Sequence, residues 1–427
     1  MKLLPNAVCD WRLLASIGLL LTAAVPTLAA TPPPIEPPID NAATAETRQL
    51  HSKLIALADA DGFAFGNQGD YHSGVGWDDL PDDIIRPSDI YQVLNVHAGV
   101  SGYNANWLFD KDNKANYAAF DEIGKEMQIA SHRGALITLH WPMDNPVAPA
   151  DDRNCTDCSH LIDSVLEHKV YDPDNRGEQG ENYLLWTQWM DVLAEFIKTR
   201  AVDGGKAIPI LFRPWHEMNQ GEDGVGRWYQ VANNSREEYL ALWQQTVSYL
   251  RDKKGIHNLL YVYAPSLNAI ACEGCKPSEK YLENYPGNDW VDVMAGDCYA
   301  EGIADSQARF AHLTQGIQII ADTARTNGKI PALSETGYKD GLQHDVGNNF
   351  WYSQWLLGVS GAVPAKLKRM AYVMSWSNSG DAAEPKFFVP YPKPTKEHDE
   401  IADFRAFHAS HMPLFAGDLR AMFDGAK

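Results

Sequence analysis

From about residue 45 onward the chain alternates short apolar runs with longer stretches of helical period, and this alternation restricts the fold more than any other feature. Eight runs read as buried strands: Gly62 to Gly66, Val93 to His97, Leu136 to His140, Pro209 to Arg213, Leu259 to Tyr263, Val291 to Ala295, Pro331 to Glu335 and Ala371 to Trp376. Between them, Tyr117 to Ala130, Tyr183 to Thr199, Arg236 to Arg251, Ser306 to Arg325 and Phe350 to Leu357 space their apolar residues three and four apart, as helices do. Eight strands, each followed by a helix, close into a (β/α)8 TIM barrel, and 427 residues suit such a barrel with insertions. A doubly wound open sheet is the competing α/β arrangement. No internal repeat and no second linker interrupts the pattern, so one domain is expected over residues 45–427.

In a β/α barrel the carboxyl ends of the strands form the active face. Polar and aromatic residues gather where the runs stop, at Asn67, His97, His140 with Trp141, Trp215 to Glu217, Ser266, Tyr299, Glu335 and Trp376. Strands reaching solvent account for Asn67 and Ser266, but not for tryptophans and histidines beside two glutamates. The 36 basic against 56 acidic residues give a formal charge of −20, which repels phosphate backbones, anionic membranes and polyanionic substrates. A neutral partner fits better, and 13 tryptophans offer flat faces for sugar rings as well as a core.

Lys2 and Arg12, an apolar run from Leu13 to Val25 and small residues ending at Ala29 and Ala30 make residues 1–30 a secretory signal peptide. The run is too short to span a bilayer comfortably, and the Pro-rich segment that opens residues 31–44 reads as a linker. The mature protein is expected to be secreted or periplasmic, free of the membrane after cleavage, and monomeric. Of the five cysteines then left, Cys155, Cys158, Cys272 and Cys275 form two Cys-x-x-Cys pairs. Outside the cytoplasm these suit structural disulfides, within or across the pairs, with a four-cysteine zinc site as the alternative. Cys298, in an apolar run, is expected to be an inert buried thiol.

The chemistry concentrates in two segments, Arg213-Pro-Trp-His-Glu-Met-Asn219 after the fourth strand and Leu333-Ser-Glu-Thr-Gly-Tyr338 after the seventh. The tips of these strands face one another across the barrel mouth, where two carboxyls can work on one glycosidic bond. Here the chain resembles glycoside hydrolase family 26, best known for β-mannanases, over roughly residues 45 to 415. The resemblance makes Glu217 the acid/base, Glu335 the nucleophile, His216 the histidine before the acid, Tyr299 the strand-six tyrosine on the nucleophile, His140 the strand-three sugar-site histidine and Trp376 the strand-eight platform. Arg213 is expected to hold a positive charge beneath the pair, and Trp141 and Trp228 to line the cleft. Glu217 must be protonated when substrate arrives, which burial and the charge of Glu335 would favour.

Neither a metal nor a cofactor is expected. His216-Glu-Met-Asn-Gln220 lacks the second histidine of a zinc-protease helix, and neither a phosphate-binding glycine loop nor a Gly-x-Ser-x-Gly elbow occurs. One departure from the family pattern is the insertion Gln220-Gly-Glu-Asp-Gly-Val-Gly226 before Arg227-Trp-Tyr229, which reshapes the leaving-group side. β-1,4-Mannan, glucomannan or galactomannan is the expected polysaccharide substrate, with mixed-linkage β-glucan and β-1,3-xylan as alternatives on the same scaffold. The loops from Asn104 to Lys114 and from Met143 to Asp163 are long enough to wall off one end of a cleft and release short units such as mannobiose. A silent carbohydrate-binding barrel and a two-lobed solute-binding protein are the readings from other classes.

Overall fold

A computed structural model describes residues 33–427 except 79–87, 147–159, 167–180, 222–226, 271–275, 301–305, 339–340, 343–350, 358–368, 382, 393–398 and 425–427. Its centre is a parallel barrel. The strands are β1 Phe63–Gln68, β2 Val100–Asn104, β3 Leu136–Trp141, β4 Ile210–Pro214, β5 Leu259–Tyr263, β6 in two pieces Val293–Met294 and Asp297–Ala300, β7 in two pieces Ile330–Pro331 and Leu333–Tyr338, and β8 Tyr372–Ser375. Each pairs in parallel with the next, and β8 returns to β1, with Phe65 opposite Val373, so the sheet is closed. Closure leaves no unpaired edge among these eight strands.

The period of two along each strand sorts the apolar side chains into two layers. Ala64, Val100, Leu136, Leu211, Leu260, Val262, Val293, Ala295 and Ala332 form one buried cluster inside the barrel, while Phe63, Phe65, Ile137, Leu139, Ile210, Phe212, Tyr261 and Met294 belong to another, beneath the helices. Following the inward set toward the carboxyl ends, Leu211 is succeeded by Arg213, Leu136 by Thr138 and His140, and Ala295 by Asp297 and Tyr299. The top of the barrel interior is thus polar because the two-residue alternation carries these side chains there. The surrounding helices have ordinary boundary chemistry: α1 Ala45–Asp59 starts at Thr44, α3 Tyr117–Arg133 starts at Asn116 and ends at Gly134 (φ 100°), and Ser235 with Glu238 closes a reciprocal cap on the helix Arg236–Ser248.

The second strand departs from expectation. Val93 lies in a short helix, α2 Asp89–Leu94, capped by the Ser88 hydroxyl and ended by Asn95 in the left-handed conformation (φ 58°); the strand follows at Val100–Asn104. A run of two or three apolar residues has no period of its own, so these boundary residues decide it. His97 accordingly sits before β2, stacked 4.4 Å from Tyr91 and accepting from the Ala416 amide, at the end of the barrel away from the strand tips. Residues 36–44 are docked: Glu36 donates its amide to Gly328, Ile39 to the Asp292 carboxylate, and Asp40 accepts from His257 at 2.8 Å. Residues 1–32 and the four paired cysteines lie outside the described residues. Cys298 is a buried free thiol whose pKa burial pushes up to about 12, as suits an unreactive one.

Candidate active site

Glu335 projects from β7 beside a register shift between Leu333 and Thr336, an irregularity that re-aims side chains at a strand end. It faces Asp297 of β6 in register. Arg213, fully buried, joins them: Nη1 donates to Asp297 Oδ2 at 2.8 Å and Nη2 to Glu335 Oε1. The Tyr299 hydroxyl donates to Glu335 Oε2 at 2.8 Å, and Ser334 donates to Asp297 Oδ1 at 2.7 Å. Burial, then the neighbouring carboxylates, raises the Asp297 pKa against the pull of Arg213, while Arg213 itself is held charged beyond its ordinary range. Both oxygens of Glu335 are therefore gripped, one by a permanent cation and one by a phenol, which fixes its direction.

Glu217 lies beyond β4 on a segment of unusual backbone. Trp215 (φ 52°) and Glu217 (φ 56°) both occupy the left-handed region, which non-glycine residues rarely adopt and which costs of order 1 kcal/mol or more each. The surroundings impose it: Glu217 donates its amide to Ala264, the Trp215 indole to Thr246 at 3.0 Å, and Tyr239 and Tyr229 donate to the carbonyls of Trp215 and His216. Asn219 exchanges two 2.8 Å bonds with Ser266 and locks the segment to the end of β5. The Glu217 carboxyl is mostly buried, with Gln220 donating to Oε1 at 2.8 Å and Arg227 4.0 Å from Oε2. Burial first and the charge of Glu335 second raise its pKa to about 7, against the lowering effect of Arg227 and Arg213. The two carboxyls are thus differentiated by their neighbours: Glu335 is bonded to donors, Glu217 favours its proton.

Both carboxyls open on one cavity of about 490 Å³, whose walls include His216, Arg227, Tyr299, Trp376, Lys386 and Phe388. Trp376, just past β8, keeps a partly exposed face there. Phe388 reaches the wall over Gly337, where a Cβ would stand 2.5 Å from its ring, so only glycine permits this approach. His216 and His140 are both held neutral, their pKa values well below normal because of burial and the cations Arg213 and Arg227. Arg227 donates to His216 Nε2 at 3.2 Å. The Gln68 side-chain amide lies 2.7 Å from His140 Nδ1 and fixes the ring beside Trp376.

Trp141 and Trp228 are placed elsewhere. Both are buried, Trp141 donating to Asn106 at 2.9 Å and Trp228 to the Met143 carbonyl at 3.0 Å, and both pack on Trp215. They brace the Glu217 segment and are not among the cavity walls. Asp297, Gln68, Gln220 and Arg227 are the site residues that sequence reading passes over. Asp297 carried a usable signal, since it stands two residues before Tyr299 and so on the same face of β6.

The model of glycosyl hydrolase family 26 matches residues 39–365. A mannan endo-1,4-β-mannosidase of Bifidobacterium adolescentis is 29% identical over 88% of this chain, which spans 35% of that relative's length. Among solved structures, a family 26 β-mannanase from Bacteroides ovatus is similar with a TM-score of 0.68 at 28% identity, covering 88% of this chain and 96% of its own. The catalytic domain of an endo-β-1,4-mannanase from Bacillus sp. JAMB-750 gives 0.74 at 25% identity, covering 91% and 96%. With a closed barrel carrying paired glutamates at the ends of β4 and β7, and a family match over most of its length, this chain belongs to glycosyl hydrolase family 26.

Proposed function

We propose that the protein is a retaining β-mannanase that hydrolyses β-1,4-mannosidic bonds in mannan or its oligosaccharides by double displacement. The observation that carries this reading is the opposed state of two carboxyls on one cavity: Glu335 bonded to Arg213 and Tyr299, and Glu217 with its pKa near 7. In the first step a Glu335 oxygen bonds to the anomeric carbon, the bond from that carbon to the leaving oxygen breaks, and the proton of Glu217 passes to that oxygen. In the second, Glu217 takes a proton from water, the water oxygen bonds to the anomeric carbon and the Glu335 carboxylate is released. Each residue ends as it began.

The mannanase names of the relatives support mannan as the substrate, and the net charge of −20 supports a neutral one. A screen of β-1,4-mannan, mixed-linkage β-glucan and β-1,3-xylan, read by product size, tests the choice. Release of mixed manno-oligosaccharides at early times is the expected result; turnover of glucan or xylan with mannan untouched would overturn it. The charged, apolar and small-residue order of residues 1–30 supports export. Mass analysis of the mature protein should then find it beginning at Thr31, and an intact Met1 on the cell-associated protein would contradict that.

A further inference from the structure

In a double displacement the acid/base has two opposite tasks. Glu217 must hold a proton when substrate arrives, and once that proton has gone to the leaving oxygen it must stay ionised until water attacks. Between the two steps Glu335 is bonded to the anomeric carbon and carries no charge. The repulsion that raises the Glu217 pKa in the resting enzyme is then gone, and the nearest cation governs how firmly Glu217 refuses a proton from solvent.

Three cations stand on or beside the cavity. Arg213 is already shared between Asp297 and Glu335. Lys386 is exposed on the wall, its ammonium 5.9 Å from the centre of the Phe388 ring. Arg227 is placed differently: Nη1 is 4.0 Å from Glu217 Oε2, and among the described residues no other carboxylate lies so near it. Neutral groups hold it there. Nη1 donates to the Tyr229 hydroxyl at 2.8 Å and to His216 Nε2 at 3.2 Å, and that hydroxyl donates to the His216 carbonyl at 3.1 Å. The Arg227 backbone is fixed as well, its amide donating to the Gln230 side chain at 2.9 Å and its carbonyl accepting from the Gln230 amide at 3.0 Å. The other titratable groups around Glu217 do not change charge near neutrality: burial keeps His216 neutral and raises the pKa values of Tyr229 and Tyr299.

We propose that Arg227 is a positioning residue for the second step, a fixed charge that keeps Glu217 ionised while Glu335 is tied up in the covalent intermediate. This rests on the double-displacement reading. In the resting enzyme Glu335 opposes Arg227 and Glu217 keeps its proton; in the intermediate Arg227 acts unopposed, and the same carboxyl becomes a base that water can use.

Two pH profiles of the full-length protein test this, for wild type, Arg227→Gln and Arg227→Lys. With 2,4-dinitrophenyl β-mannobioside the leaving group needs little protonation, so the second step limits kcat and its acid limb reports Glu217 in the intermediate. With mannopentaose, the alkaline limb of kcat/KM reports Glu217 in the free enzyme. Both limbs should move up by about one pH unit in Arg227→Gln and return close to the wild type in Arg227→Lys. Should Arg227→Gln fail to fold, Tyr229→Phe, which frees the guanidinium without removing its charge, decides by the same limbs, with a smaller upward shift expected. Limbs that stay in place while the rate falls overturn the proposal and leave Arg227 a structural brace. A wild type that hydrolyses the aryl substrate without an initial burst of dinitrophenol contradicts the double displacement itself, and the role of Arg227 with it; a burst with unmoved limbs contradicts the role of Arg227 alone.

Discussion

Glu217 and Glu335 differ in what surrounds them, and the difference is measurable at the level of single residues. On the proposed mechanism Glu335→Ala removes the attacking oxygen, so turnover of mannan should fall by about 10⁴-fold or more while binding of oligosaccharide persists, as titration of the variant with mannohexaose will show. Glu217 has a raised pKa in the folded protein, so the proton binds the native state more tightly than the unfolded chain. Its favourable contribution is complete below the unfolded value of 4.5 and is lost as pH rises through about 7. Two results follow. Activity should decline on the alkaline side with an apparent pKa near 7, and Glu217→Gln, which cannot ionise, should unfold about 2 °C above the wild type at pH 8 but level with it at pH 4. Both glutamates and Tyr299 were legible in the sequence as polar residues at strand ends. Arg227 was not, because nothing beside a glycine-rich insertion says that the residue following it turns inward, and the left-handed backbone of Trp215 and Glu217 leaves no mark in residue type.

At the scale of elements, the strands whose apolar runs are long were readable, and β2 was not. Val100-Ser-Gly-Tyr-Asn104 is too polar to read as buried, yet it is central, since Gly102 lets Gln68 cross its surface and Ser101 is covered by neighbours. The tryptophans show the same ambiguity: a Trp at a strand end suits a sugar platform or a brace equally well. Trp376 keeps a partly exposed face on the cavity, whereas Trp141 became a brace because its indole found Asn106. The Asn378 side chain ties together the loop after β8. Asn378 donates to Asp89 and to the Val389 carbonyl and accepts from the amides of Phe388 and Val389, at 2.8 to 3.1 Å. Asn378→Ala should therefore destabilise the protein by about 2 to 4 kcal/mol in chemical unfolding and raise KM more than it lowers kcat, because Phe388 loses its place on the cavity wall.

For the molecule as a whole, the barrel is a means of bringing residues more than a hundred positions apart to one pocket, and Arg213 is the tie. It binds Asp297 and Glu335 from β4, and removing it strands two carboxylates in the interior. Arg213→Met should cost about 3 to 5 kcal/mol in urea unfolding, with activity lost together with stability. The net charge belongs to this scale too: binding of a neutral mannan should be unchanged between low and moderate salt, since no counterion release accompanies it. In the proposed double displacement one glutamate attacks the anomeric carbon and the other protonates the leaving oxygen. Proton NMR of the anomeric signals during the first minutes of manno-oligosaccharide hydrolysis tests this most directly. The β-anomer should appear first and then mutarotate; the α-anomer appearing first would contradict double displacement at Glu335.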